Sequence, residues 1–140
     1  MVLRIFDVEH GACAMLHALI GGQAGRLAMI DSGSTTDWTP SQFIQHTLRR
    51  QRLDYLFITN ADQDHMSGLQ GLWDAGIGVG VLHRNRSYTG AQMREIKQRS
   101  GPLTTDAQRY VAMCDTYVAP VTESFDDFMG GIKAYSYWNP

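Results

Sequence analysis

Leu53-Asp54-Tyr55-Leu56-Phe57-Ile58-Thr59-Asn60-Ala61-Asp62-Gln63-Asp64-His65-Met66-Ser67-Gly68 joins a strand-like run to a polar, acid-rich loop. Residues 53–58 form an apolar, partly aromatic run of strand length. A polar loop, residues 59–65, follows at once. In it Asn60, Asp62 and Asp64 offer side-chain oxygens, and His65 offers an imidazole nitrogen. A strand end is a rigid platform, and a loop leaving it can aim several side chains at one point. Short acidic side chains at alternate positions, with an imidazole next door, suit a divalent cation. Ser67 and Gly68 are small enough for a following helix to begin close to that point. Asp and Asn are also frequent in plain turns, because their side chains bond nearby backbone N–H groups. The order of the neighbouring elements favours the metal reading.

Downstream, Leu69, Leu72 and Trp73 mark a short helix that stops before Gly76. Residues 78–82 read as a strand. Thr89 with Gln92, and Thr105 with Gln108, have the spacing of helix starts, separated by Gly101-Pro102. Residues 116–121 and 132–137 read as two closing strands. Upstream, residues 2–8, 12–20 and 26–30 are apolar runs that predict a three-stranded meander. The last two are divided by Gly21-Gly22-Gln23-Ala24-Gly25. Thr39-Pro40-Ser41-Gln42 then predicts a capped helix with Phe43, Ile44, Thr47 and Leu48 on one face. Strands and helices mix without strict alternation, which predicts an α/β domain with a mixed sheet covered by helices.

The 140 residues suit one domain, and 44% hydrophobic against 19% charged residues argues against disorder. A formal net charge of −2 gives no global pull toward nucleic acid or membrane. Arg84, Arg86, Arg94, Lys97, Arg99 and Arg109 nevertheless crowd one stretch with only Glu95 and Asp106 against them. That stretch is either a phosphate-facing patch or, more ordinarily, a solvated helix surface. Cys13 and Cys114 are too few for a disulfide framework and sit among apolar residues. They read as small buried hydrophobes, which fits a reducing compartment, so a cytoplasmic protein is expected. No signal-like segment and no apolar run of membrane-spanning length is present, so no membrane is expected.

Thr59-x-x-Asp62-x-Asp64-His65-x-x-Gly68 between a strand and a helix resembles the metallo-β-lactamase superfamily, whose loop is His-x-His-x-Asp-His. Asp in place of the second His resembles one branch, the metallo-β-lactamase-like domains similar to the competence protein ComEC. Phe6-Asp7-Val8 with Gly11-Ala12 looks like the opening strand and turn of that branch. Met29-Ile30-Asp31-Ser32-Gly33 looks like its Ile-Asp-x-Gly segment. The resemblance is close over residues 1–75 and rests on element order over residues 76–140.

The resemblance implies the first half of an αββα sandwich and a metal-dependent hydrolase holding one or two divalent ions, zinc or manganese. It implies Asp62, Asp64, His65 and Asn60 as metal ligands, Asp64 as the catalytic group, and Asp31 as the support that hydrogen-bonds the loop. The family's first His is Asn60 here and its second is Asp62. Both serve the first metal, and an amide oxygen is a far weaker ligand than an imidazole nitrogen. Asp64 and His65 match the second metal's ligands. The branch implies a phosphodiester substrate, DNA or a small phosphoester, with the basic stretch after Arg84 holding phosphates. Residues 1–140 are then the N-terminal part of the domain, with the rest expected beyond residue 140 or supplied by a partner chain covering an open sheet. Of the remaining histidines, His83 ends a strand, where it either approaches the loop or is a polar cap on the strand end, and His10, His17 and His46 are expected in a turn, a strand and a helix. The competing expectation is a metal-poor, non-catalytic binding module or half-domain that kept the fold, motivated by Asn60.

Overall fold

The computed structural model describes residues 1–137. Its centre is a five-stranded mixed sheet in the order β1 (Val2–Ile5), β2 (Ala14–Ile20), β3 (Gln23–Ile30), β4 (Arg52–Ile58), β5 (Gly78–Arg84). The first three strands are the expected antiparallel meander, and β3, β4 and β5 run parallel. Gly21 and Gly22 form the whole β2–β3 turn. Both have positive φ, 57° and 80°, which a two-residue hairpin of matching twist requires and which glycine accepts without strain. β3 therefore starts at Gln23, three residues before the apolar run suggested.

Between β3 and β4 the chain crosses through α1 (Pro40–Gln42), which runs directly into a π-helical turn at Phe43–Thr47. Thr39 caps it by accepting from the Gln42 N–H, and Pro40 takes the first position, as the sequence predicts. Between β4 and β5 lie α2 (Gln63–Met66) and α3 (Leu69–Asp74). After β5 come α4 (Gly90–Gln98), α5 (Thr105–Thr116) and the single turn α6 (Phe125–Phe128). The capping box of Thr89 and Gln92 forms in full. The start of α5 is capped one residue earlier than expected, by Thr104, which accepts from the Ala107 N–H.

The core lies between one face of the sheet and helices α1 to α5. Met15, Leu27, Met29, Leu56 and Ile58 from the strands meet Ile44, Met66, Leu69, Leu72, Tyr110 and Val111 from the helices. Leu69 and Leu72 are buried as predicted, but Trp73 turns outward at 63% exposure. The Arg109 guanidinium lies over its ring, 3.9 Å from the centroid, which shields part of the indole. Asp54 joins β3 to β4 where the ladder begins. Its Oδ2 accepts from the Leu27 N–H at 2.9 Å and from Arg50 Nη2 at 3.0 Å.

The two closing strands expected at residues 116–121 and 132–137 do not form. Thr116 ends α5, and no strand follows it among the described residues. Pro120 has no N–H to give a ladder, and Gly130 and Gly131, with φ of 66° and 78°, turn the chain away from extended geometry. The segment instead crosses the sheet's second face. Phe125 and Met129 pack there on Ala18, Ala28, Tyr55 and Phe57, while Glu123 joins Arg26 and the Tyr55 hydroxyl.

Cys13 and Cys114 are buried and unbridged. Burial, and secondarily the nearby Asp31 carboxylate, pushes the Cys13 thiol up to about 12. Only the thiolate reacts with thiol reagents, so alkylation of Cys13 at pH 8 is expected to be slow in the folded chain and fast in urea. Rapid labelling of the native chain, read by mass spectrometry, would contradict this. The raised value also sets a sign for stability. The folded thiol keeps its proton where an unfolded one loses it, so this contribution is full below about pH 8.5 and is lost as pH rises toward about 12.

Candidate metal centre

The site is assembled where parallel strands β3 and β4 end side by side. The Asp31 N–H donates to the Phe57 carbonyl at 2.7 Å, which continues the ladder by one bond. Asp31 then turns with φ of 56°, a conformation that Asp tolerates better than most residues. The turn aims its carboxylate across to the next chain. Oδ1 accepts from the Thr59 N–H at 2.7 Å. Oδ2 accepts from the Thr59 hydroxyl at 2.5 Å and from His65 Nδ1 at 2.9 Å. The residue is 2% exposed. Beside a carboxylate acceptor Nδ1 is the nitrogen that donates, so in the neutral ring the lone pair lies on Nε2. Nε2 lies 3.8 Å from Asp64 Oδ2.

The loop is shorter than the sequence suggests. Residues 59–62 leave the strand, and the helical turn α2 already contains Asp64 and His65. The segment that begins at Asp31 fastens this turn along its backbone. Ser32 N–H donates to the His65 carbonyl at 2.8 Å, Gly68 N–H to the Ser32 carbonyl at 2.7 Å, and Ser34 N–H to Ser67 Oγ at 2.9 Å. The turn before β2 closes the other side, with Ala12 N–H 3.4 Å from the Asp64 carbonyl. Gly33 is needed at this crossing. A Cβ there would lie 2.7–2.8 Å from the Ala12 backbone and 2.8 Å from the Asp64 carbonyl. The Asp64 carboxylate, 44% exposed, opens onto a depression of about 370 Å³ lined also by Glu9, His10, Gly11, Ser34 and Gln63.

The sequence profile of the metallo-β-lactamase superfamily matches residues 18–127, well over half of the chain. The chain belongs to this superfamily. No curated protein matches it. Members of the metallo-β-lactamase superfamily usually bind divalent metals, often zinc.

The donors match the superfamily pattern on one side only. Asp64 and His65 come together, with the free Nε2 facing the carboxylate and Asp31 holding the ring from behind, the arrangement that orients metal-bound imidazoles elsewhere. Asn60 and Asp62 do not join them. Asp62 Oδ1 accepts from Lys97 Nζ at 2.9 Å, and Oδ2 accepts from the Asn60 amide at 2.8 Å. The Lys97 hydrogen bond is the main cause holding the Asp62 carboxyl below its usual range, with Asn60 helping against some desolvation. Among the described residues no group of three or more His, Cys, Asp or Glu side chains is placed to hold a metal ion. Asp64 and His65 thus stand side by side, whereas Asp62 is engaged by Lys97 and Asn60.

His83 does not reach the loop. Its ring stacks on Phe57 at 4.3 Å and 6°, on the second face of the sheet, and its Nε2 is buried with no hydrogen-bond partner among the described residues. Burial lowers its pKa, with Arg86 adding to the effect. The basic stretch is largely occupied as well. Arg84 is buried and donates to the carbonyls of Asn85, Tyr88 and Cys114, and Arg99 pairs with Glu95. Sequence reasoning missed Lys97 as a loop residue and missed Asp106, which binds Gln63 Nε2 and the Gln70 N–H at 3.0 Å each. Neither has a local signal, since both act 35 or more positions from their partners. Among the described residues no helix is long and apolar enough to cross a membrane.

Proposed function

We propose that the chain carries part of the catalytic centre of a metal-dependent hydrolase, in which Asp64 and His65 would hold a divalent ion, zinc or manganese. The observation that carries this reading is the Asp31–His65–Asp64 array, which leaves an imidazole lone pair beside an exposed carboxylate. An ion held there would polarise a scissile group and ease the loss of a proton from water. The chain's own residues do the rest. Asp31 fixes the His65 tautomer. Thr59, through its two bonds to Asp31, fixes the carboxylate in turn. Asp64 is the group that faces substrate in the open depression.

The substrate reading is a phosphodiester, DNA or a small phosphoester. It is supported by Asp62 at the second His position, as in ComEC-like domains. The test is turnover of bis(p-nitrophenyl) phosphate and of single- and double-stranded DNA by the full-length protein with Mn²⁺ or Zn²⁺. Hydrolysis that disappears with a chelator is expected. A metal-loaded protein that cleaves none of the three would remove the phosphodiester assignment.

The missing ligands are assigned to the rest of the domain or to a partner chain. On the sheet's second face Leu3, Ile5 and Ile30 are 58%, 79% and 39% exposed, and beside them lies an apolar hollow of about 470 Å³ bounded by Leu16, Ala28, Phe57 and Tyr135. Apolar surface of this kind is normally covered. A second reading, a binding module that kept the fold without metal, is favoured by Asn60 and by the Lys97–Asp62 contact. Near-stoichiometric metal in the purified full-length protein would exclude it.

A further inference from the structure

We propose that the Lys97 ammonium takes the place of the first metal of the superfamily, so that the Asp62 side of the loop is closed to divalent cations. The inference goes beyond the proposed chemistry, because it concerns the neighbouring position and does not require that Asp64 and His65 hold an ion.

Asp62 occupies the N-cap position of α2, with extended backbone at φ −88° and ψ 154°. An Asp there normally accepts from the first backbone N–H groups of its helix. Asp62 makes no such bond. Its two oxygens are taken instead by Lys97 and Asn60. Lys97 is delivered from a well-anchored element: α4 is closed at its start by the Thr89–Gln92 capping box and holds Met93 in the core. Its side chain is 24% exposed, whereas that of Asp62 is 60% exposed, so the stem is covered and the ammonium emerges at the loop. An ammonium brings a positive charge and N–H donors but accepts no ligand.

One departure from the superfamily pattern agrees with this. Where the family places a metal-binding imidazole, this chain has Asn60, whose amide donates to the same carboxylate that Lys97 holds. The Asn60 amide and the Lys97 ammonium together engage Asp62 as an acceptor of N–H bonds. An exposed ion pair contributes little to stability. Its effect on a competing cation is different in kind, because a divalent ion entering beside Asp62 meets the ammonium at close range or must first displace it. Charges a few ångströms apart near a protein surface change such an affinity by about tenfold or more.

The test begins with the chain's two lysines, Lys97 and Lys133. An amine-acylating reagent is applied to the full-length protein with and without Zn²⁺ or Mn²⁺, and modification is read by peptide mass spectrometry. Exposed Lys133 serves as the internal reference. Lys97 is expected to react at the same rate, relative to Lys133, whether or not metal is added. Faster labelling of Lys97 on metal addition means that a cation has displaced it, and this overturns the proposal.

The second arm compares Asn60→His with Asn60→His/Lys97→Met by calorimetric metal titration. The single variant regains the imidazole yet is expected to bind an added metal equivalent about tenfold or more weakly than the double variant does. Equal uptake by the two variants overturns the proposal. A parent protein that takes up no metal refutes the reading of Asp64 and His65, while the comparison of the two variants still decides Lys97.

Discussion

Asp31→Ala is expected to destabilise the chain by about 2–3 kcal/mol, because it leaves the Thr59 N–H, the Thr59 hydroxyl and His65 Nδ1 without their buried acceptor. Asp31→Asn separates folding from metal binding. In the tolerated orientation its amide oxygen accepts from the Thr59 N–H and its NH2 donates toward His65 Nδ1. The imidazole then has to carry its proton on Nε2, and the lone pair facing Asp64 is lost. Stability should fall by about 1 kcal/mol, while metal affinity falls about 10–100-fold, as expected when the group behind a ligating histidine is changed. Urea denaturation measures the first quantity and metal titration the second. An Asp31→Asn protein with parental metal affinity would show that the tautomer does not matter.

Gly33→Ala should cost about 1–3 kcal/mol through overpacking. The added methyl meets backbone on both sides, Ala12 and the Asp64 carbonyl, and no side chain can rotate out of its way. Relief must come from shifting the turn that carries Asp64, so metal affinity should fall together with stability. Gly78→Ala is the control. Its Cβ would meet nothing nearer than the Gln51 carbonyl at 4.0 Å, and stability should stay within about 0.5 kcal/mol of the parent. Equal melting temperatures for the two variants would mean that the crossing at Gly33 is looser than its distances indicate.

The parts of the fold that were legible in the sequence are those fixed by local chemistry. β4 has the β-branched and aromatic run that builds a buried central strand, the Gly21-Gly22 turn has residues free to take positive φ, and the caps at Thr39 and Thr89 have their oxygens at the right spacing. Asp31 was named only through the superfamily resemblance, whose Ile-Asp-x-Gly segment is contiguous, and its carboxylate does bond Thr59 and His65. The closing strands were misread for the opposite reason. Residues 116–121 and 132–137 have strand composition, but pairing depends on a free ladder partner, and Pro120 and the Gly130-Gly131 turn send the chain over the second face instead. Trp73 was placed with Leu69 and Leu72 by periodicity alone, and Arg109, 36 positions away, provides the cover that lets it face outward. Asp62 shows the same limit inside the site. Its position in the loop was readable, whereas its partner, Lys97, comes from another helix and appeared in the sequence only as one member of a basic stretch.

Metal titration of the full-length protein against its Asp64→Ala and His65→Ala variants decides whether these two side chains hold an ion. The parent is predicted to bind a divalent ion, zinc or manganese, and each variant is predicted to lose that binding together with any metal-dependent hydrolysis, while its far-ultraviolet circular dichroism stays that of the parent. A divalent ion bound with unchanged affinity by both variants would mean that neither Asp64 nor His65 is its ligand.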